Sequence, residues 1–428
     1  MLSAYRSALS LPGALRFSTT GFLARLPVAM VGLGIVLLVS GITGSYAAAG
    51  VLSAAFQLPA ALGAVVTSRW VDRLGQSRLL PWLAIVNAAF LVAFVASVEA
   101  AAPLLVQGVL VACAGLAQPA IGSMVRARWA ANAPDAPTLR SAFALESIVD
   151  ELVFTVGPLA TAFLAFQLAL PLPLLLAAGI GVCGSILLAL QRRTQPRPNP
   201  RLAQEQSDKH RSVLAYPGMA LVAVAAVGVG SVFGSFEVTV VAFTGQAGSP
   251  GMSGLVLAIW AVGSMVGGLW FGSRSWSMTL GRQMLVLPGV LTVALVLAPF
   301  ASTIPILALV TAIAGVAIAP TLIAAFSLSQ RLVPGRQLTE GLTWTNSGLA
   351  VGFSAGTAVA GVVVDAHGTV WGFVVPLVGA GLATLVGWIG QSSFAVHAGS
   401  GDEPLPAAAL NSDPLPGPHP GGVRDDPH

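Results

Sequence analysis

Twelve apolar segments, each long enough to cross a lipid bilayer as a helix, constrain the fold of this chain more than any other feature. A membrane-spanning helix needs about 20 residues, and most of these segments carry no charge between their ends. Helix-length runs without a ten-residue alternation argue against a β-barrel. We therefore predict an all-α membrane protein with spans near 17–41, 45–70, 79–98, 103–126, 141–166, 168–190, 215–243, 251–272, 283–301, 304–329, 338–365 and 369–391.

The composition excludes an ordinary soluble domain. Of 428 residues, 55% are hydrophobic and only 8% are charged, whereas a soluble domain carries roughly 25% charged residues. Glycine and proline are both frequent, and both are tolerated in membrane helices whose neighbours satisfy the freed backbone groups.

The basic residues predict the orientation of the chain. If the N-terminus is cytoplasmic, all 20 Lys and Arg residues fall in or beside cytoplasmic segments, while outer loops such as GITGSY, ASVEAAAP and GQAGSPGM contain none. This asymmetry follows the positive-inside rule and predicts a multi-pass protein of the plasma (inner) membrane with both termini in the cytoplasm. The basicity is thus a topology signal in contact with membrane lipids, and no nucleic-acid partner is expected.

The chain divides in the middle. Residues 191–214 are polar, charged and contain proline, which is typical of a linker, and residues 392–428 form a Pro/Gly-rich tail that we expect to be disordered and cytoplasmic. We therefore expect a six-helix N-terminal half at 1–190 and a six-helix C-terminal half at 215–391. A plan of this kind predicts an internal repeat, for which Trp70 and Trp270, at equivalent places in the two halves, are weak support.

The loop after the second segment carries a family signature. Residues 68–78 read SRWVDRLGQSR, which resembles the loop 2–3 signature of the major facilitator superfamily, G-x-x-x-D-R-x-G-R-[KR]. With twelve spans and a central linker, the resemblance covers residues from about 10 to 391. Ser68 departs from the usual first glycine, and Gln76 and Ser77 depart from the usual basic pair. The second half has Gly272 where the acid would stand, so the signature is one-sided.

The resemblance implies a twelve-helix transporter fold and a cytoplasmic gate. The implied gate residues are Asp72, Arg73, Gly75 and Arg78. A carboxylate at the end of the second helix could meet the positive N-terminal end of the eleventh, while the arginines pair with acids or lipid phosphates. The alternative is that this loop is only a basic turn that obeys the positive-inside rule.

Three carboxylates interrupt the fifth apolar segment, FALESIVDELVFTVGP. Helical spacing places Glu146 and Asp150 about 40° apart on one face, and Glu151 about 100° further round. Charges in a span are costly, usually face the bundle interior and tend to pair. Gly157-Pro158, which follows on the same helix, is similar to the end of the helix-five signature of the drug/proton antiporter branch, although a simple proline kink explains it equally.

Arg25 of the first segment is the expected partner of these acids. It lies one to two turns inside the first span, as Glu146 does in the fifth, so we expect a contact between Arg25 and Glu146 or Asp150; snorkelling of Arg25 to the interface is the alternative. One arginine cannot neutralise three acids, and Glu237 of the seventh segment adds a fourth. We expect at least one of these four acids to bind a proton near neutral pH. The alternative is that they only cap or cross-link helices; for Glu151, which lies off the shared face, both interpretations stay open.

Polar amides within the spans are further candidates. Gln57, Gln118 and Asn346 could contact a substrate, although an isolated amide more often staples helices. Residues 352–356 spell G-x-S-x-G, but a nucleophile elbow needs a strand and a turn, and glycines at four-residue spacing indicate close helix packing. The histidines form no cluster, so we expect no catalytic residues, no metal and no cofactor.

These observations predict a secondary transporter that works by alternating access about a midplane site. The absence of a basic residue near the midplane, beside several acids, favours proton-coupled export of a neutral or cationic amphipathic small molecule. Proton-linked uptake of a small nutrient is the first alternative, and a non-transporting membrane receptor or a lipid-moving scaffold is the second. A monomer is what the family resemblance implies.

Overall fold

A computed structural model describes residues 9–196, 213–216, 218–274, 276–333 and 337–395, and in this part of the chain twelve helical segments are long and apolar enough to cross a membrane. The predicted number and order of spans are confirmed, and no strand occurs in the described residues. The helices are α1 (Ala14–Thr43), α2 (Tyr46–Leu74), α3 (Gln76–Glu99), α4a (Leu104–Leu116), α4b (Ile121–Asn132), α5 (Ala136–Gln167), α6 (Leu172–Leu190), α7 (Met219–Gln246), α8 (Ser253–Gly272), α9 (Leu280–Leu295), α10a (Ile304–Gly315), α10b (Ile318–Leu332), α11 (Leu338–His367), α12a (Thr369–Gly372), α12b (Val374–Ile389) and α12c (Gln391–Ala395).

The fourth and tenth helices are interrupted at corresponding places of the two halves. Between α4a and α4b, Pro119 lacks a backbone N–H and disfavours a helical conformation at Gln118. Between α10a and α10b, the break precedes Pro320 in the first turn of the second piece. Interrupted helices at equivalent positions are expected of a pseudo-symmetric transporter fold.

One predicted helix end was wrong. The fourth span continues to Asn132 instead of ending at residue 126, so the segment that carries Arg126 and Arg128 is helix and not loop. The last span ends at Ile389, close to the predicted end at residue 391, and the separate short helix α12c follows it, with Phe394 buried. Most of the predicted tail, and most of the predicted linker at 191–214, lie outside the described residues.

The two faces of the bundle differ in charge. At one face, called here the arginine-free face, the connections 43–46, 99–104, 167–172, 246–253, 295–304 and 367–369 contain no Lys or Arg. The opposite face, called the arginine-rich face, carries Arg73, Arg78, Arg192 and Arg193 among others. Between the faces, the surface is a belt of exposed apolar side chains such as Leu105 and Val293, which suits contact with lipid.

The two halves meet at the arginine-free face. There α2 and α11 approach closely, since a methyl group on Gly50 would clash with the backbone of Thr357. On the other side of the bundle, a methyl group on Gly254 of α8 would lie 2.5 Å from the Pro158 carbonyl oxygen of α5. The hydrogen bonds that join two described residues across the halves lie at this face.

Towards the arginine-rich face the halves separate. Phe154 lies one turn before Pro158 on the same side of α5, yet it is 51% exposed. Asn346 lies three turns before Thr357 on the same side of α11, and it is also exposed. Helix faces that pack together near one end of the bundle are thus open at the other, so the described residues are closed at the arginine-free face and open at the arginine-rich face.

Candidate functional site

The predicted contact between α1 and α5 is present and includes both acids. The Arg25 guanidinium forms an ion pair with Glu146 through Nη2 and donates from Nη1 to Asp150 Oδ1 at 2.9 Å. Glu146 and Asp150 are one turn apart, so both carboxylates reach the same guanidinium. Arg25 is only 3% exposed, and it therefore pairs inside the bundle instead of snorkelling to the interface.

Glu146 is fully buried and saturated with donors. Besides the Arg25 guanidinium, its Oε1 accepts hydrogen bonds from the Trp129 indole N–H at 2.7 Å and from the Ser18 hydroxyl at 3.3 Å. The Trp129 ring packs edge-on against Phe17, with centroids 4.7 Å apart. A buried ion pair is tolerated when further hydrogen bonds satisfy its remaining atoms. Both Glu146 oxygens are satisfied here, whereas the buried Nε of Arg25 has no hydrogen-bond partner among the described residues. Glu146 therefore ties α1, α4b and α5 together.

A second arginine, which the sequence did not predict, also binds Asp150. Arg126 of α4b donates from Nη2 to Asp150 Oδ2 at 2.6 Å, so Asp150 bridges two guanidinium groups at a position where its side chain is about one-third exposed. The spacing of Arg126, Arg128 and Trp129 fits a helix, but the predicted fourth span ends at residue 126, so these side chains do not appear among the predicted intramembrane residues. We call Arg25, Glu146, Asp150, Arg126 and Trp129 the charge cluster.

Arg128 is a further basic residue inside a span. Arg128 of α4b is fully buried, and its guanidinium donates to the carbonyls of Leu188 and Gln191 at 3.0 Å and to Gln76 Oε1 at 2.7 Å. Those carbonyls stand at the C-terminus of α6, the negative end of that helix. Arg128 is thus a C-terminal cap that fixes α6 against α3 and α4b.

Glu151 points away from the charge cluster. It lies two turns before Pro158 on nearly the same side of α5, the side that contacts α8 near the arginine-free face. At its own depth the halves have separated, and Glu151 is half-buried with no hydrogen-bond or ion-pair partner for its carboxylate among the described residues. It therefore faces the gap between the halves.

Glu237 stands where the two halves meet. A methyl group placed on Gly32 of α1 would lie 3.3 Å from Gln57 Nε2 of α2 and 3.4 Å from Glu237 Oε1 of α7. The amide and the carboxylate thus face the same backbone position from opposite halves. Glu237 Oε1 is buried and has no hydrogen-bond partner among the described residues, and no arginine of the described part pairs with it.

The other two predicted amides are separated from this position. Gln118 accepts a hydrogen bond from Asn87 Nδ2 at 3.0 Å, and Asn87 also donates to the Ala114 carbonyl, so this pair bridges α3 to the break in the fourth helix. Asn346 donates to the Leu342 carbonyl of its own helix and is exposed on the side of α11 that faces the other half.

The predicted gate loop joins α2 to α3. Gly75 has a φ of 88°, a conformation that favours glycine, and its N–H donates to the Val71 carbonyl at 2.8 Å to end α2. Arg73 and Arg78 are exposed, with no ion pair in the described part of the chain. The side chain of Asp72 lies outside the described residues. No group of three or more His, Cys, Asp or Glu side chains in that part could hold a metal ion.

Two six-helix halves closed at one face, with polar side chains in the gap between them, define a secondary transporter. Residues 17–275 match the family model described as Major Facilitator Superfamily, and the chain belongs to that family. It is a multi-pass membrane transporter and not an enzyme. Transport of a small molecule is the activity that this membership supports.

Similar solved structures share the fold. A variant of the nucleoside transporter NupG is 15% identical with a TM-score of 0.69, over 88% of this chain and 99% of that one. A bacterial homologue of the human lysosomal transporter Spinster, inward-facing and unoccupied, is 14% identical with a TM-score of 0.69, over 92% and 98%. A bacterial homologue of the iron transporter ferroportin, inward-facing, is 17% identical with a TM-score of 0.62, over 88% and 99%. A comparison with curated proteins found no match.

Proposed function

We propose that this transporter exports a neutral or cationic amphipathic small molecule in exchange for protons, by alternating access between the two faces. Under this proposal the arginine-rich face is cytoplasmic, as the positive-inside rule requires, and the structure corresponds to the state open to the cytoplasm. The exchange centres on Glu237, with Gln57 opposite it and Glu151 nearer to the cytoplasmic opening.

The single observation that carries the proposal is the buried, unpaired Oε1 of Glu237 at the junction of the halves. An ionised carboxylate without a partner is costly in such a place. A proton or a substrate cation would remove that cost, and each would exclude the other from the same oxygen. Competition for one carboxylate is the simplest way to exchange a cation for a proton.

The arginines of the spans support the choice of substrate charge. Arg25 and Arg126 are engaged with Glu146 and Asp150, and Arg128 is engaged with the end of α6. The arginines that lie well inside the described spans are therefore all engaged, and the remaining arginines of these helices lie at their ends, at the arginine-rich face. Well inside the described spans, an anionic substrate would have no counter-charge in the gap between the halves, whereas a cation would find Glu237 and Glu151.

The test is accumulation of a lipophilic cation in inverted membrane vesicles with an imposed pH gradient. Ethidium is the first probe, followed by other lipophilic cations and uncharged analogues. We expect the wild-type protein to accumulate the probe only with the gradient, and Glu237→Gln to lose at least about tenfold of that accumulation. The matched control is Glu99→Gln, which removes an exposed acid at the arginine-free end of α3 and should behave as wild type.

Two results would contradict the proposal. Equal accumulation by wild type and Glu237→Gln, with the gradient present, would remove Glu237 from the exchange. Gradient-driven accumulation in right-side-out vesicles, with none in inverted ones, would establish proton-linked uptake instead of export.

A further inference from the structure

The C-terminal half caps a helix of the N-terminal half at the arginine-free face. Asp365, in the last turn of α11, accepts hydrogen bonds from the backbone N–H groups of Tyr46 and Ala47 at 2.9 and 2.8 Å. It also accepts one from the Ser45 hydroxyl at 2.8 Å. Ser45 in turn accepts from the Ala48 N–H at 3.1 Å, so both side chains satisfy the first donors of α2.

Small residues bring the two helices close enough for this contact. A methyl group on Gly361 of α11 would clash with the Tyr46 carbonyl of α2, one turn away from Asp365. With a larger residue at Gly361, the helices would have to move apart, and the carboxylate would no longer reach the first turn of α2. The contact therefore depends on the closed packing of the two halves at this face.

The position of Asp365 makes the contact favour one state. A carboxylate in the last turn of a helix lies near the negative end of its own macrodipole, which is unfavourable. In the closed face the positive N-terminal end of α2 offsets this, through charge-assisted hydrogen bonds. If the halves separate here, Asp365 keeps the unfavourable position and loses the favourable partner.

We propose that Asp365 and the N-terminus of α2 form a latch that holds the arginine-free face closed, and that releasing it is a required step of opening to that face. The proposal rests on the alternating access of the proposed function, but not on the substrate or on protons. It assigns to Asp365 a role that the charge cluster and Glu237 do not have, because Asp365 forms hydrogen bonds from one half to the other.

The test measures the distance between the halves at the arginine-free face by pulsed electron paramagnetic resonance. Nitroxide labels are placed at Ala169 and Ser302, exposed loop positions in the two halves, after Cys113 and Cys183 are replaced by serine. Asp365→Asn keeps the size of the side chain but removes the charge. We expect it to raise the ratio of the longer to the shorter separation at least about fivefold, as expected for the loss of a charged cap at a helix N-terminus.

Two further variants separate the latch from a general loss of charge or of stability. Glu99→Gln removes an acid at the same face without touching α11, and it should leave the distance distribution unchanged. Ser45→Ala removes the hydroxyl donor and keeps Asp365, and it should shift the distribution in the same direction by a smaller factor. A folding defect would broaden both separations instead of raising the longer one.

The outcomes are distinct. A shift with Asp365→Asn and none with Glu99→Gln supports the latch. Two separations in unchanged proportion in wild type and Asp365→Asn would overturn the latch and leave alternating access standing. A single separation in every variant, with and without a pH gradient, would overturn alternating access and the latch with it.

Discussion

The charge cluster and Glu237 place carboxylates in the same membrane-spanning bundle under opposite conditions. In the cluster, Glu146 is fully buried and accepts from three side chains, and Asp150 bridges two arginines. Glu237 has a buried oxygen with no partner in the described residues and lies where the two halves meet. The cluster lies within one half, whereas Glu237 faces the other half.

This difference shows what an intramembrane acid contributes in each place. Removing one partner of a buried ion pair is destabilising, because it leaves the other charge buried and uncompensated. An unpaired carboxylate where the two halves meet lowers the stability of the fold, but it is available to bind a proton or a cation. We therefore expect substitutions in the cluster to act mainly on stability and substitutions of Glu237 to act mainly on transport.

The largest effect should follow from Glu146→Ala. It leaves the Arg25 guanidinium buried without its main counter-charge, and breaking a buried ion pair costs about 3–5 kcal/mol of unfolding free energy. Reversible unfolding in mixed micelles measures this quantity. Ser147→Ala, at the adjacent exposed position, is the control and should stay within about 0.5 kcal/mol of wild type.

Exchanging the charges of Arg25 and Glu146 tests how much of the stability comes from the ion pair alone. The double variant Arg25→Glu with Glu146→Arg restores opposite charges, but the Trp129 N–H, which can only donate, would then face a guanidinium, which accepts no hydrogen bond. We expect only partial recovery of stability over Arg25→Glu alone. Complete recovery would mean that the hydrogen bond from Trp129 to Glu146 contributes nothing to stability.

The next effect concerns Trp129→Phe. Phenylalanine keeps an aromatic ring against Phe17 but removes the 2.7 Å hydrogen bond to Glu146. Hydrogen bonds to charged groups contribute about 1.5–3 kcal/mol, so unfolding free energy should fall by that amount. Trp82→Phe, at a side chain that is 68% exposed, is the matched control. A loss no larger than that of the control would show that Glu146 needs only Arg25.

Glu237→Gln should separate transport from stability. The neutral amide removes the cost of a buried charge without a partner, so the unfolding free energy should stay equal or rise. Gradient-driven accumulation of a lipophilic cation should nevertheless fall at least tenfold, which corresponds to about 1.4 kcal/mol. If Glu237→Gln lost stability as Glu146→Ala does, the contrast between the two regions would be wrong.

The sequence predicted the fold and the ion pair at the centre of the charge cluster. Hydropathy predicted all twelve spans, because a membrane-spanning helix must be long and apolar wherever it lies in the bundle. The contact between Arg25 and Glu146 followed from equal depth in two helices that cross in the same direction. Arg126 and Trp129 were missed because the fourth helix continues through a polar stretch where hydropathy falls.

The junction at Glu237 could not be derived in the same way. Nothing in the local sequence of α7 indicates that its acid faces Gly32 and Gln57, since that depends on how the two halves pack. The same holds for Asp365, whose partners lie some 320 positions away along the chain. Contacts between the halves are set by the conformational state, which composition and periodicity do not encode.

The smallest effect is expected for Glu151→Gln, which tests whether a cation passes Glu151 on its way from the arginine-rich face to Glu237. Glu151 is half-buried, faces the gap and has no side-chain partner in the described residues, so Glu151→Gln should leave the unfolding free energy within about 0.5 kcal/mol of wild type. A cation approaching from that face would lose one attractive charge, and its apparent KM should rise about threefold, with little change in the maximal rate. Because a partly exposed charge is screened, the difference should shrink as ionic strength rises. A change in the maximal rate as large as that of Glu237→Gln would instead make Glu151 part of the exchange itself. Two acids, Glu237 and Glu151, would then exchange protons, and the contrast with the charge cluster would apply to both.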